Sequence, residues 1–382
     1  MVCVREVKTK KDKREFLNFP LRLYKNCPYF VPPLYAEEKK IFSFNNVYAD
    51  TCDSVFFLAE KDGKTVGRVS GIIQRASNEL RGQKRVRFTR FDSIDDEEVA
   101  AALFNTIENW AKDNGMDTVC GPLGYSDLER EGLLIEGFDQ LSTFEEQYNY
   151  EYYQKLIENN GYVKEVDWEE RKIYKPAVVD EKFKRVSDMM LKKYNLKFAK
   201  CKSIKDFIRR YGDKFFDLLD ETYADIYGTV PFTPAMKKMM ISNFKFIVDL
   251  RRVTVIVDEN DNVVCFAICF PSIAKAVQKS GGRLTLPTLI RLLKSIKKPE
   301  IIDLGLVGVK QEYAQKGVST AIISRLMDIL DEDGVKYAET NLNLEGNVNI
   351  INQWRRFDAV LHKRRRCFVK SLTDDETQNR SV

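Results

Sequence analysis

Histidine is nearly absent: His362 is the one such residue in 382. A single imidazole excludes most His-based zinc centres and any chemistry that repeats a histidine. It precedes Lys363-Arg364-Arg365-Arg366 in the last apolar segment, and the reading there is a solvated strand edge, neither a base nor an RNA-binding patch. Cysteine pairs are missing too. The eight cysteines, at 3, 27, 52, 120, 201, 265, 269 and 367, form no CxxC, and most lie in apolar runs. Buried, reduced thiols in a reducing compartment are the expectation. Cys265 and Cys269, four apart on a predicted strand, would stand about 13 Å apart, too far to share a metal. No apolar run approaches the ~20 residues of a membrane span, and Met1-Val2-Cys3-Val4-Arg5-Glu6 does not open a signal peptide. Charge of one sign is also lacking, since 62 Lys and Arg against 57 Asp and Glu leave +5. That argues for neither DNA nor an anionic membrane as partner. A cytoplasmic protein without metal is expected.

What is present is an ordinary globular composition, and a length that suggests two domains on the order of 150–190 residues each. Val55 to Ala59, the turn Lys61-Asp62-Gly63 and Val66 to Ile73 read as a hairpin. A strand (Arg85 to Phe91) leads to a helix started by Asp95 with Glu98, a capping box. Strand Thr118 to Cys120, helix Tyr150 to Asn160 and strand Val163 to Tyr174 follow, and Lys175-Pro176 marks a boundary. Beyond helical stretches at 179–194, 205–227 and 235–246, the order repeats. There is a hairpin (Val253 to Val257, Val263 to Phe270), an inserted helix (Thr288 to Ile296), strand Ile301 to Val309 and a helix through Leu330. Strand Val335 to Leu344, helix Val348 to Phe357 and strand Ala359 to Lys370 complete it. The fold class is therefore α/β (α+β). Two tandem domains, 1–176 and 177–372, each carry a mixed, mostly antiparallel twisted sheet flanked by helices. A polar tail spans 373–382.

The second half is organised around Ile301 to Leu330. An apolar strand runs into a loop with one glycine, Gly317, and then into a helix striped by Val318, Ile322, Leu326, Ile329 and Leu330. Free N–H groups and the positive end of the helix dipole converge there, which makes an anion site. The equivalent stretch of the first half, Phe91-Asp92-Ser93-Ile94-Asp95-Asp96-Glu97-Glu98, has no glycine and five carboxylates. Those suit the helix dipole but repel a pyrophosphate, so the first domain is expected to lack such a site.

Val309-Lys310-Gln311-Glu312-Tyr313-Ala314-Gln315-Lys316-Gly317-Val318-Ser319 resembles the acyl-CoA loop of the GNAT N-acyltransferase superfamily, written V-x-P-x-x-R/Q-x-x-G-x-G/A. The resemblance extends to Asn347, to Phe357-Asp358-Ala359, and in the first half to Gly121-Pro122-Leu123, 132–139 and Tyr148-Asn149-Tyr150, which are similar to a bacterial subgroup of double-GNAT proteins. Ala314 and Ser319 depart from the loop pattern, and Trp354 stands where many members have a tyrosine that protonates the leaving thiolate. The resemblance implies transfer of an acyl group from acetyl-CoA or another acyl-CoA to a small-molecule amine or a peptide. The backbone from Val307 to Val309 would hold the pantetheine and thioester, and Gln315, Lys316, Gly317, Val318, Ser319 and Thr320 the pyrophosphate. Glu345 is the candidate base, or else a solvated or capping glutamate. Asn347 contacts the cofactor or caps the last helix. The tyrosines at 148, 150, 152 and 153 line an acceptor pocket or belong to the core. Two alternatives stand beside this reading: a non-catalytic CoA-sensing or ligand-binding pair of domains, and an aminoacyl or long-chain acyl transferase.

Overall fold

The computed structural model describes residues 1–43, 46–177, 182–245, 247–332 and 334–373. The first half of the chain runs β1 (Val2–Glu6), α1 (Lys10–Leu23), α2 (Tyr35–Glu38), β2 (Cys52–Lys61), β3 (Lys64–Gln74), α3 (Arg75–Arg81), β4 (Arg85–Ser93), α4 (Glu97–Asp113), β5 (Thr118–Gly121), β6 (Leu133–Glu136), α5 (Tyr152–Glu158) and β7 (Val163–Tyr174). The second half runs α6 (Lys182–Lys193), β8 (Lys197–Phe198), α7 (Ile204–Tyr223), α8 (Pro234–Phe244), β9 (Val253–Val257), β10 (Val263–Pro271), α9 (Ala274–Gln278), α10 (Leu286–Lys297), β11 (Ile301–Val309), α11 (Ser319–Leu330), β12 (Tyr337–Thr340), β13 (Asn343–Leu344), α12 (Val348–Trp354) and β14 (Asp358–Ser371). The repeated order of hairpin, strand, helix, strand, helix and strand is present in both halves. The polar tail beyond residue 373 and the helix start at 179–181 lie outside the described residues.

The two compact units interleave the sequence. Unit 1 comprises Met1–Trp168, Val277–Leu284 and Lys363–Val382, and unit 2 comprises Glu169–Ala276 and Thr285–His362. The sequence reading placed a single boundary at 176/177. The units differ because the last strand of each half passes from one unit to the other.

In unit 1 the strand order is β1-β2-β3-β4-β5-β14-β7, with β6 beside β14. The β2–β3 hairpin turns on Asp62 and Gly63, both at positive φ, as a two-residue hairpin loop requires. Strand β4 pairs in parallel with β5 from Arg85↔Thr118 to Arg87↔Cys120. Helix α4 lays Val99, Leu103, Phe104 and Ile107 on the sheet, all fully buried. Asp96, not Asp95, caps this helix, because its carboxylate accepts from the N–H groups of Glu98 and Val99.

In unit 2 the order is β14-β7-β12-β11-β10-β9-β8. One face carries α11 and α12. Ile302, Ala338 and Ile173 from three adjacent strands pack there with Ile323, Leu326, Leu330 and Trp354. The other face carries α7, whose Phe215 stands edge-on to Phe266 with ring centroids 4.6 Å apart. Gly308 makes this close approach possible, since a Cβ there would lie 2.5 Å from Phe266 and 2.8 Å from the Thr222 hydroxyl.

Candidate functional site

The site of unit 2 begins where two strands part. β11 and β12 pair in parallel from Ile301↔Tyr337 to Leu304↔Thr340 and no further. β11 then bulges: Ile268 of β10 faces Leu306 and Cys269 faces Leu304, leaving Gly305 as the extra residue. Bulges re-aim a strand and are frequent next to active sites. From 305 to 309 β11 continues with β10 on one side only. The N–H of Lys310 donates to Val264 of β10, so alternation turns the N–H groups of Val307 and Val309 to the open edge. The N–H of Val307 meets the hydroxyl of Tyr223, from the end of α7, at 3.4 Å. A backbone donor and a phenol thus share the edge at which a thioester carbonyl would be polarised. Nothing in the sequence pattern singled out Tyr223.

The loop after β11 turns through Gln311–Tyr313 and enters α11 at Ser319. Gly317 has φ +74, and its missing Cβ would have met only ordinary contacts with Met190 and Thr320. The glycine is therefore demanded by backbone conformation, not by space. The Thr320 N–H and hydroxyl both turn back to the Gly317 carbonyl. Val318 is buried among Leu191, Ile256 and Val264, so it offers only its backbone. Among the described residues no acceptor takes the N–H of Gly317, Val318 or Ser319. The ammonium of Lys316 lies 4.9 Å from the Tyr313 ring and 5.2 Å from the Tyr194 ring, a cation–π bracket that keeps positive charge beside the helix start. Gln315 is exposed.

Behind the parting strands is a second group of residues. Glu170 on β7, Glu339 on β12 and His362 on β14 occupy three adjacent strands of unit 2. One ligand atom from each lies within 4.8 Å of the others. The Nε2 of His362 is 3.3 Å from Glu339, with both side chains about nine-tenths buried. Glu339 is in register with Asp303, and Asp303 with Phe270, so the group lies on the α7 face, away from α11. The expectation for His362 is thereby corrected. The ring is buried because β14 is an interior strand, not an edge. The same correction applies to the basic run. In unit 1 Arg365 is fully buried beside Glu146, and Arg366 makes a two-pronged contact with Asp167. These cations are consumed within the fold.

The remaining expected residues fall as follows. Glu345 is exposed in the turn after β13. Asn347 caps α12, its oxygen accepting from the Ile350 N–H at 3.2 Å. Trp354 is buried and donates to Asn343 at 2.8 Å, which pins β13 to α12. All eight cysteines are free, with Cys265 and Cys269 buried.

In unit 1 the corresponding opening is filled by the chain itself. β4 parts from β5 after Arg87. At its end the Ser93 N–H donates to the Tyr153 hydroxyl at 3.1 Å, and the Tyr152 hydroxyl donates to the Ser93 carbonyl at 2.7 Å. Tyr153 is fully buried and Tyr148 nearly so, which makes these two tyrosines core residues. Lys61 binds Asp96 and Glu98 at the start of α4, so carboxylates already occupy that helix N-terminus.

This strand order occurs in both halves of the chain, in the second half parting over the N-terminus of a glycine-loop helix, and it is the tandem GNAT fold. The structure is similar to the tandem GNAT protein from the clavulanic acid biosynthesis pathway, with a TM-score of 0.56 and 10% identity, over 98% of this chain and 100% of that one. It is also similar to a GCN5-related N-acetyltransferase from Sphaerobacter thermophilus, with a TM-score of 0.52 and 11% identity, over 97% and 96%. In sequence the chain is 28% identical to Protein YghO of Escherichia coli (strain K12) over 384 residues, 97% of this chain and 95% of that one. It is 26% identical to the bacterial ceramide synthase of Caulobacter vibrioides over 385 residues, 96% of each. No family model matches the chain.

Proposed function

We propose that unit 2 is an acyl-CoA-dependent N-acyltransferase whose acceptor is the primary amine of a long-chain base. The observation that carries the reaction class is the open edge of β11, where the Val307 N–H and the Tyr223 hydroxyl meet above a loop with three unclaimed N–H groups. The acceptor class comes from the full-length likeness to a ceramide synthase, since ceramide is an amide of such a base. The pyrophosphate would lie on the backbone of 315–320 with Lys316 beside it, and the pantetheine along Val307 and Val309. The amine would enter from the α7 face. Its nitrogen attacks the thioester carbon, the Val307 N–H stabilises the oxyanion, and the C–S bond breaks as the amide C–N bond forms. The amine proton passes to the His362–Glu339 pair, directly or through water. Tyr223, beside the Val307 N–H, would give the departing thiolate its proton. Exposed Glu345 is the competing base, and Glu345→Gln against Glu339→Gln separates the two.

Calorimetric titration with CoA and with acetyl- and palmitoyl-CoA tests the first half of this reading. One site per chain is expected. Gly317→Asp should abolish it, because aspartate tolerates the left-handed backbone yet sets a negative charge where the pyrophosphate lies. Transfer is then followed by mass spectrometry with a long-chain amino alcohol and with a polar amine as acceptors. Binding without transfer to any amine would leave a CoA-sensing protein. Absence of binding would sink the acyltransferase reading.

A further inference from the structure

Helix α10 is inserted between β10 and β11, and its outward face is apolar. Leu286 is 72% exposed, Ile290 61%, Leu293 59% and Leu289 44%. The opposite side packs inward against β10, with Thr288 fully buried and Leu292, Ser295 and Ile296 half-buried. The four exposed side chains follow helical spacing, so they form one stripe and not scattered points. Isolated exposed leucines need no explanation, but a contiguous stripe marks a surface that something covers.

Charge identifies the cover. From Thr285 to Pro299 there are four cations, Arg291, Lys294, Lys297 and Lys298, and no carboxylate. All four are exposed, and none pairs with an acid among the described residues. At 100° per residue Lys297 falls within the leucine stripe at its C-terminal end, Lys294 beside it and Arg291 further round the same flank, and Lys298 follows at the C-cap. A near-balanced total charge conceals this local excess. A short helix with an apolar outward stripe and an unbroken cationic flank is the pattern of an element lying in the interface of an anionic bilayer, with leucines among the upper acyl chains and long basic side chains reaching the headgroups. No helix of the described residues is long and apolar enough to cross a membrane, so the contact is peripheral.

We infer that α10 docks the protein on the surface of an anionic phospholipid membrane. The inference stands on this helix alone, and its failure would leave the acyl-transfer reading untouched. The test is co-sedimentation of the full chain with large vesicles of phosphatidylcholine alone, or with roughly a third phosphatidylglycerol. Partitioning is expected to rise tenfold or more with the anionic lipid, and to fall as salt screens the surface. Changing Lys294, Lys297 and Lys298 to glutamine should erase the preference for anionic lipid. Changing Ile290 and Leu293 to serine should reduce binding to both vesicles. All five positions are exposed or point outward, so thermal midpoints should stay at the wild-type value, and a variant that unfolds is replaced by single substitutions at the same sites. Equal partitioning of wild type and variants would overturn the inference. So would a concentration-dependent dimer, seen by sedimentation velocity without lipid and lost in the serine variant, because a second copy would then be the cover.

Discussion

Tyr223 and Val307 share one strand edge, and the hydroxyl there is the acid proposed for the departing thiolate, one that the sequence pattern had no place for. In many GNAT-like chains the expected acid lies where this chain has Trp354, whose indole is spent on Asn343. Tyr223→Phe is therefore expected to leave CoA affinity unchanged and to lower kcat roughly tenfold to a hundredfold. An unaltered kcat would remove Tyr223 from the mechanism. The glycine of the loop was legible because left-handed backbone has a residue signature. Tyr223 was not, because nothing local records that the end of α7 crosses β11 some eighty residues later. His362 was misjudged for a related reason. Its basic neighbours read as solvated, whereas Arg365 is buried beside Glu146 and Arg366 is half-buried on Asp167, acids distant in sequence. Burial also governs Glu131, whose carboxyl is pushed well above the usual range by desolvation and then by Asp127 and Glu146, against Arg87. The folded state thus keeps a proton that the unfolded chain releases above about pH 4.3. Stability is then full below that pH and is lost as pH rises toward the folded pKa, by at most about 1.4 kcal/mol per pH unit. Glu131→Gln, which mimics the protonated acid, should gain thermal midpoint over wild type progressively from pH 5 to pH 8. A constant offset across that range would show that Glu131 is ionised in the fold.

At the scale of elements, periodicity carried most of the reading. The hairpins, the strand–loop–helix from Ile301 to Leu330 and the repeated order all rest on local alternation and turn residues, and each is present. Two features escaped. The bulge at Gly305 adds one residue without breaking the apolar run, so β11 reads as uninterrupted in sequence while its register against β10 shifts. That shift, together with the end of β12 at Thr340, is what opens the edge. The helix start of the first half was placed one residue early. Asp95 and Asp96 are chemically equivalent caps, and the choice falls on Asp96 because Lys61 holds it from the hairpin end at 2.6 Å. The inference that the first half lacks a phosphate site rested on those carboxylates. The structure adds a second obstacle in Tyr152 and Tyr153, which take both backbone groups of Ser93.

At the scale of the molecule, the sequence reading divides the chain at 176/177, whereas the compact units divide inside β7 and again inside β14. Unit 1 includes Lys363 onward. There β14 lies between β5 and β7, pairing from Phe368↔Gly121 to Ser371↔Thr118, with Phe368 inside the main core of that unit. A fragment ending at residue 176 would therefore lack an interior strand. It would expose the edge of β5, remove Phe368 from the main core of the unit, and strip Glu146 and Asp167 of Arg365 and Arg366. Losing one partner of a buried ion pair commonly costs about 3–5 kcal/mol, and a domain holds only about 5–15. The fragment 1–176 is thus expected to lack cooperative thermal unfolding and dispersed amide resonances. A synthetic peptide covering 358–373 should restore both when added, and a peptide carrying Arg365→Ala and Arg366→Ala should restore neither. Cooperative unfolding of the bare fragment would establish the contiguous boundary at 176/177 instead, and β14 would then be an accessory to a sheet complete without it.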